Sequence, residues 1–164
     1  MRITSFKNMY IAELQELRNV EEQLADAFLR MAEMVSHPSL KYALTYQRER
    51  TQTQRQWLDE ILRLHGGNRQ THTDQAMEAL ILESEKMATM VAGDELRDAA
   101  LIASAQKIGH YKIAAYGSAA ALAGQLDLRD DQRELHLGLI EEREVDSLLT
   151  QVAKQEVNQD ARAA

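Results

Sequence analysis

Leu14, Leu17, Leu24, Phe28, Met31 and Val35 fall in one alternating three- and four-residue register. That register lays an apolar seam along one side of a helix. Four segments of the chain carry such a seam, each over roughly 25–30 residues. A helix of that length is stable mainly through what its apolar face packs against. Four of them in one chain are satisfied together by a bundle whose seams face a common interior.

The breaks between segments are explicit. Ser36-His37-Pro38-Ser39 ends the first, because Pro38 cannot continue the preceding turn and Ser39 can cap the next helix. A second helix is expected from about Leu40 to Leu64, stopped at His65-Gly66-Gly67-Asn68. A shorter helix follows over about Asp74–Val91, rich in methionine, and Gly93-Asp94 leads into an alanine-rich helix from Glu95 to about Leu126. The turn Leu126-Asp127-Leu128-Arg129-Asp130-Asp131 precedes a last helix from about Asp131 to Asn158. The expectation is one all-α domain over residues 1–160, with 161–164 a frayed tail and the short helix filling a long crossover.

Composition removes several function classes. There is no cysteine, so disulfides, thiolate metal sites and cysteine nucleophiles are excluded. Nineteen basic against 26 acidic residues leave a net charge of −7, which argues against a nucleic-acid surface. No apolar run approaches membrane-spanning length, and the first residues lack the apolar core of a secretion signal. A soluble, cytoplasmic protein with neither nucleic acid nor membrane as partner is expected.

Function is sought where the seams break their own rule. The first seam is apolar except at Glu21. The second crosses ten consecutive polar residues, QRERTQTQRQ, and its extension places Gln47, Arg50 or Thr51, and Gln54 inward. In the alanine-rich helix the seam through 99, 102, 105/106, 109, 112/113 and 116 contains Gly109 and Lys112. The last seam carries Glu142, with Asp146 one turn on. Each of these has a plainer reading: a helix-edge glutamate reaching water, or an exposed polar face. His110 lies beside its seam and reads as a packed or surface histidine, and the methionines read as core filler. The coincidence of polar groups at mid-length on all four long helices favours a central site, since bundles build cofactor and metal sites there.

Three stretches carry a resemblance: YIAELQELRNVEEQLADAF, DELRDAALIASAQKIGHYKIAAYGSAAALAGQL and LIEEREVDSLL. They are similar to the ferritin-like YciE/YciF family of bacterial stress-associated proteins, closer to its YciF branch. The resemblance implies a ferritin-like up-down four-helix bundle with an additional shorter helix in the crossover, a homodimer, and in better-equipped members a rubrerythrin-like di-iron centre. It also maps the ligands. The first-helix glutamate corresponds to Glu21 and the last-helix pair to Glu141 and Glu142. The second-helix H-x-x-E-T corresponds to Gln47 through Thr51, which puts Gln47 and Arg50 at ligand positions. The E-x-x-E of the penultimate helix corresponds to Gly109 and Lys112. Four ligands of the family pattern are thus absent, two of them replaced by cations.

The expectation that follows is a central cluster of Glu21, Gln47, Arg50, Gly109, Lys112 and Glu142, with no cofactor. Two carboxylates and two cations would there balance each other without metal, Arg50 forking onto one glutamate and Lys112 bridging the other. Gly109 would leave room where a ligand side chain stands in relatives. No catalytic residue is expected, and the preferred reading is a non-catalytic structural or interaction protein, homodimeric or paired with a paralogue. The alternative is a rubrerythrin-like metalloprotein with an oxidative-stress role, binding iron or manganese weakly through Glu21, Glu49, His110, Glu142 and Asp146.

Overall fold

The computed structural model describes residues 3–68 and 72–164. Helix α1 spans Phe6–Met34, α2 Pro38–Leu64, α3 Gln75–Met90, α4 Asp94–Gln125 and α5 Arg129–Val152. A π-helical turn, Ala153–Val157, carries α5 into α6, Asn158–Ala163. No strand occurs among the described residues. The helix therefore runs past 161, where a frayed tail is expected, and its last residues are exposed.

Local chemistry sets the ends. Ser5 caps α1, its hydroxyl accepting from the Asn8 amide at 3.1 Å, and Asp74 caps α3 through the Met77 amide at 2.7 Å. Pro38 begins α2 at its first turn instead of merely ending α1. That position needs no amide hydrogen and suits the fixed proline φ. Ser39 is accordingly not the cap; its hydroxyl donates to Glu156 at 2.7 Å. His37 stands at the cap position without a side-chain cap bond, and the turn is held from another helix, because the Ser36 and His37 amides both donate to the buried Asp98 carboxylate at 2.9 Å. Gly66 and Gly93 hold φ of +68° and +91° at the breaks after α2 and before α4, a region closed to most side chains.

These contacts fix the direction of every helix. The α1–α2 turn meets the start of α4 through Asp98 and the end of α5 through Glu156. At the opposite end, Tyr10 of α1 and His65, just past α2, both bond Asp131 in the first turn of α5, at 2.9 and 2.5 Å. Hence α1 and α5 run one way and α2 and α4 the other, with α3 returning the chain between them. α1 packs chiefly on α2 and α4 on α5, while α3 lies against α4 and α1. Among the described residues no helix is long and apolar enough to cross a membrane.

The apolar core comes in two blocks. One includes Leu24, Phe28, Leu44, Ile108 and Val145. The other includes Leu14, Leu17, Leu58, Tyr116 and Leu139. On each long helix the boundary between blocks falls at the polar seam positions.

Candidate functional site

The layer that separates the two blocks is built from one turn each of α1, α4 and α5 and two turns of α2. α1 contributes Glu21, which has apolar Leu17 and Leu24 above and below and no exposed surface. α2 contributes Gln47, Thr51 and Gln54, all buried. α4 contributes Lys112, 2% exposed, with Ile108 and Tyr116 on either side of it. α5 contributes Glu142, between Leu139 and Val145.

Lys112 is the hub. Its Nζ donates to Glu142 Oε1 at 2.7 Å and to Gln54 Oε1 at 2.9 Å, and lies 3.1 Å from Glu21 Oε1. Burial alone would lower the lysine pKa, but the Glu142 and Glu21 carboxylates outweigh it and hold the ammonium above its ordinary value. Gln54 Nε2 in turn donates to Glu142 Oε1 at 3.1 Å and to Glu141 Oε2 at 3.0 Å. The Tyr116 hydroxyl donates to Glu21 Oε1 at 2.8 Å, and burial, with the two glutamates behind it, drives its pKa far upward. Glu21 is pushed up to about 7, first by desolvation, against the pull of Lys112 and with the push of Glu142.

One member of the expected cluster stands elsewhere. Arg50 does not enter the layer: its guanidinium pairs with Glu141 and lies 5.7 Å from the centre of the Trp57 ring, on the partly exposed rim. Thr51, one residue on and about 100° round the helix, takes the inward place. Gln47 is buried as expected. Gly109 is buried too, and a Cβ built on it meets nothing within 4 Å. Of the alternative metal set, only Glu21 and Glu142 share the layer. Glu49 is exposed, and His110 is two-thirds exposed and turned to Asp146 at 3.3 Å. Among the described residues no group of three or more histidines and carboxylates is placed to hold a metal ion. The donors of the layer do not fit a di-metal centre, which takes about four carboxylates and two imidazoles.

Gln54 and Tyr116 are the partners that the sequence reading leaves out of the cluster. Gln54 sits on the inward seam and Tyr116 one turn from Lys112, so the helical spacing carried the inward direction of both but not the reach of the Tyr116 hydroxyl to Glu21.

The profile of a domain of unknown function, DUF892, matches residues 5–162. The chain belongs to this family. Protein YciF of Escherichia coli K12 is 34% identical over 162 residues, 98% of each chain. The crystal structure of the E. coli stress protein YciF superposes with a TM-score of 0.90, covering 95% of this chain and 99% of that one. YcfI from Rhodopseudomonas palustris, 31% identical, gives 0.88 over 92% and 96% of the two chains. A Xanthomonas campestris protein at 18% identity gives 0.78 over 97% and 98%, and shares the fold. The all-α bundle and the YciF-like family are thereby fixed.

Proposed function

We propose that this DUF892 member works without a metal centre, as a non-catalytic structural and interaction protein of the YciF-like stress family, with an ion-pair layer standing in place of the metals. The observation that carries this reading is the Lys112 ammonium, held 2.7 Å from Glu142 and 3.1 Å from Glu21. A cation bound to the chain occupies the position between carboxylates that a metal ion would need. Binding one would require Lys112 to leave or lose its proton, and its surroundings favour the protonated form. No histidine is among the buried residues of the layer, and its Lys112 amine and Tyr116 hydroxyl are both engaged by carboxylates, which supports a role outside catalysis. The test is metal analysis of protein produced in iron-supplemented medium, followed by titration with ferrous and manganous ions. Substoichiometric iron and manganese are expected, with no oxo-bridged absorption. Stoichiometric metal that is lost on Glu21→Ala would establish the rubrerythrin-like alternative.

The interaction surface is assigned to the α2–α5 side. Leu137 and Ile140 are exposed there, in a groove of about 430 Å³ lined by Trp57, Arg133, Glu134, His136, Leu137 and Ile140. A second copy of the chain, or a paralogue with the same face, would cover this surface. Sedimentation is expected to give a dimer, and Ile140→Asp a helical monomer. A wild-type monomer at high micromolar concentration would remove the assignment.

A further inference from the structure

The outward side of α5 carries a second register. Arg133, Leu137, Ile140 and Glu144 follow one another at intervals of four, three and four residues, and all are exposed. That spacing is the seam of a two-helix contact. It lies opposite the inward seam of Leu135, Leu139, Glu142 and Val145, which is buried. α5 therefore has two faces patterned for packing, and its own bundle covers one of them. Trp57 of α2 stands beside the other, as a wall of the groove that Leu137 and Ile140 line.

The order of charges along the outward stripe selects what can cover it. The apolar pair is central, with a cation one turn before it and a carboxylate one turn after. Reversed end for end, the stripe complements itself. Leu137 then meets Ile140, Arg133 meets Glu144, and one turn further out Asp130 meets the small hydroxyl of exposed Ser147. All of these pairs share one midpoint, between Gly138 and Leu139, so a single two-fold axis satisfies them and repeats each contact. Laid parallel, the same stripe would set Arg133 against Arg133 and Glu144 against Glu144, a costly juxtaposition of like charges.

The commitments of these charges within the chain are slight. Arg133 is 3.1 Å from Asp130, with both side chains largely exposed, and a pair of that kind is worth little. Glu144 makes no ion pair among the described residues. Glu141, on the flank toward α2, is already held by Arg50 and keeps its charge balanced there.

We propose that a second copy of this chain docks on α5 in antiparallel orientation, about a two-fold axis between Gly138 and Leu139, with Leu137 and Ile140 packed at the centre and Arg133 paired with the partner's Glu144 at each end. The inference rests on the reading of the α2–α5 side as an interaction surface. It adds to that reading the identity of the partner, its direction and its register.

The experiment is sedimentation of the full chain across the micromolar range, with circular dichroism of each sample to confirm its helix content. The samples are the wild type, Arg133→Glu, Glu144→Arg, a mixture of those two variants, and the double variant carrying both changes. Each single variant sets like charges together at both ends of the contact, and is expected to weaken self-association by about tenfold or more. The mixture should recover a dimer of near wild-type affinity, because every new side chain then faces its opposite charge. The double variant, with its charges exchanged, should dimerise with itself for the same reason. A folding defect cannot imitate this pattern, since the mixture and the double variant must regain what each single variant loses. Single variants that associate as the wild type does, or a mixture that fails to recover, overturn the α5 pairing. If Ile140→Asp is nonetheless monomeric, the α2–α5 surface stands and only the antiparallel register falls. A wild-type chain that is monomeric by itself overturns both and leaves the face to a paralogue.

Discussion

Lys112→Met is expected to destabilise the bundle by about 3–5 kcal/mol at pH 8, the cost of leaving buried carboxylates without their cation. Methionine matches the lysine stem in length and flexibility, so packing around the chain is kept and the loss is electrostatic. Removing the ammonium strips a donor from Glu142, Glu21 and Gln54 together. It leaves two negative side chains facing one another in a medium of low polarity, where repulsion is poorly screened. The triple variant Glu21→Gln, Lys112→Met, Glu142→Gln should recover most of the loss, because a buried ion pair adds little net stability over neutral groups that pack as well. Urea denaturation followed by circular dichroism reads both. A single variant within about 1 kcal/mol of wild type would mean that the layer is hydrated and its charges are screened. The expected non-additivity between single and triple variants is itself a mark of one coupled unit.

The seams disclosed more of this layer than the residues between them did. Glu21, Lys112 and Glu142 are each flanked one turn away by apolar core residues on their own helix, so their inward direction follows from spacing alone. On α2 the polar run leaves no apolar marker between Tyr46 and Trp57, and the phase of the helix has to be carried across it. An error of one residue there is about 100° of rotation, which separates rim-bound Arg50 from buried Thr51. That single step changes the chemistry. With Arg50 inside, the layer would be neutral; with Thr51 inside, it holds an unmatched carboxylate. Tyr116 reads as an ordinary core aromatic, since nothing in a periodic pattern says where its hydroxyl points. Pro38 reads as a stop, although its missing amide hydrogen suits the first turn of α2 equally well. The bundle itself was legible because seam period, helix length and break residues all agree.

Two glycines next to the layer should respond in opposite senses to the same substitution. A Cβ on Gly138 would lie 2.6 Å from Tyr116 Cε1 and 2.7 Å from Cδ1. The ring cannot swing away freely, because it is 1% exposed and its hydroxyl is bonded to Glu21 at 2.8 Å. Gly138→Ala therefore forces a displacement in a packed interior, which costs about 1–3 kcal/mol. It also loosens a hydrogen bond to a charged group, worth about 1.5–3 kcal/mol when lost completely. Alanine's better helix propensity returns about 1 kcal/mol, leaving a net destabilisation of about 2–4 kcal/mol. Gly109→Ala meets no atom within 4 Å in the middle of α4, so only the propensity gain remains, about 0.5–1 kcal/mol of stabilisation. Thermal and urea unfolding of both variants measure the contrast. A neutral Gly138→Ala would show that Tyr116 is not wedged between α5 and Glu21. A destabilising Gly109→Ala would show that the space beside it is filled, by ordered water bonded to the partnerless oxygens of the layer.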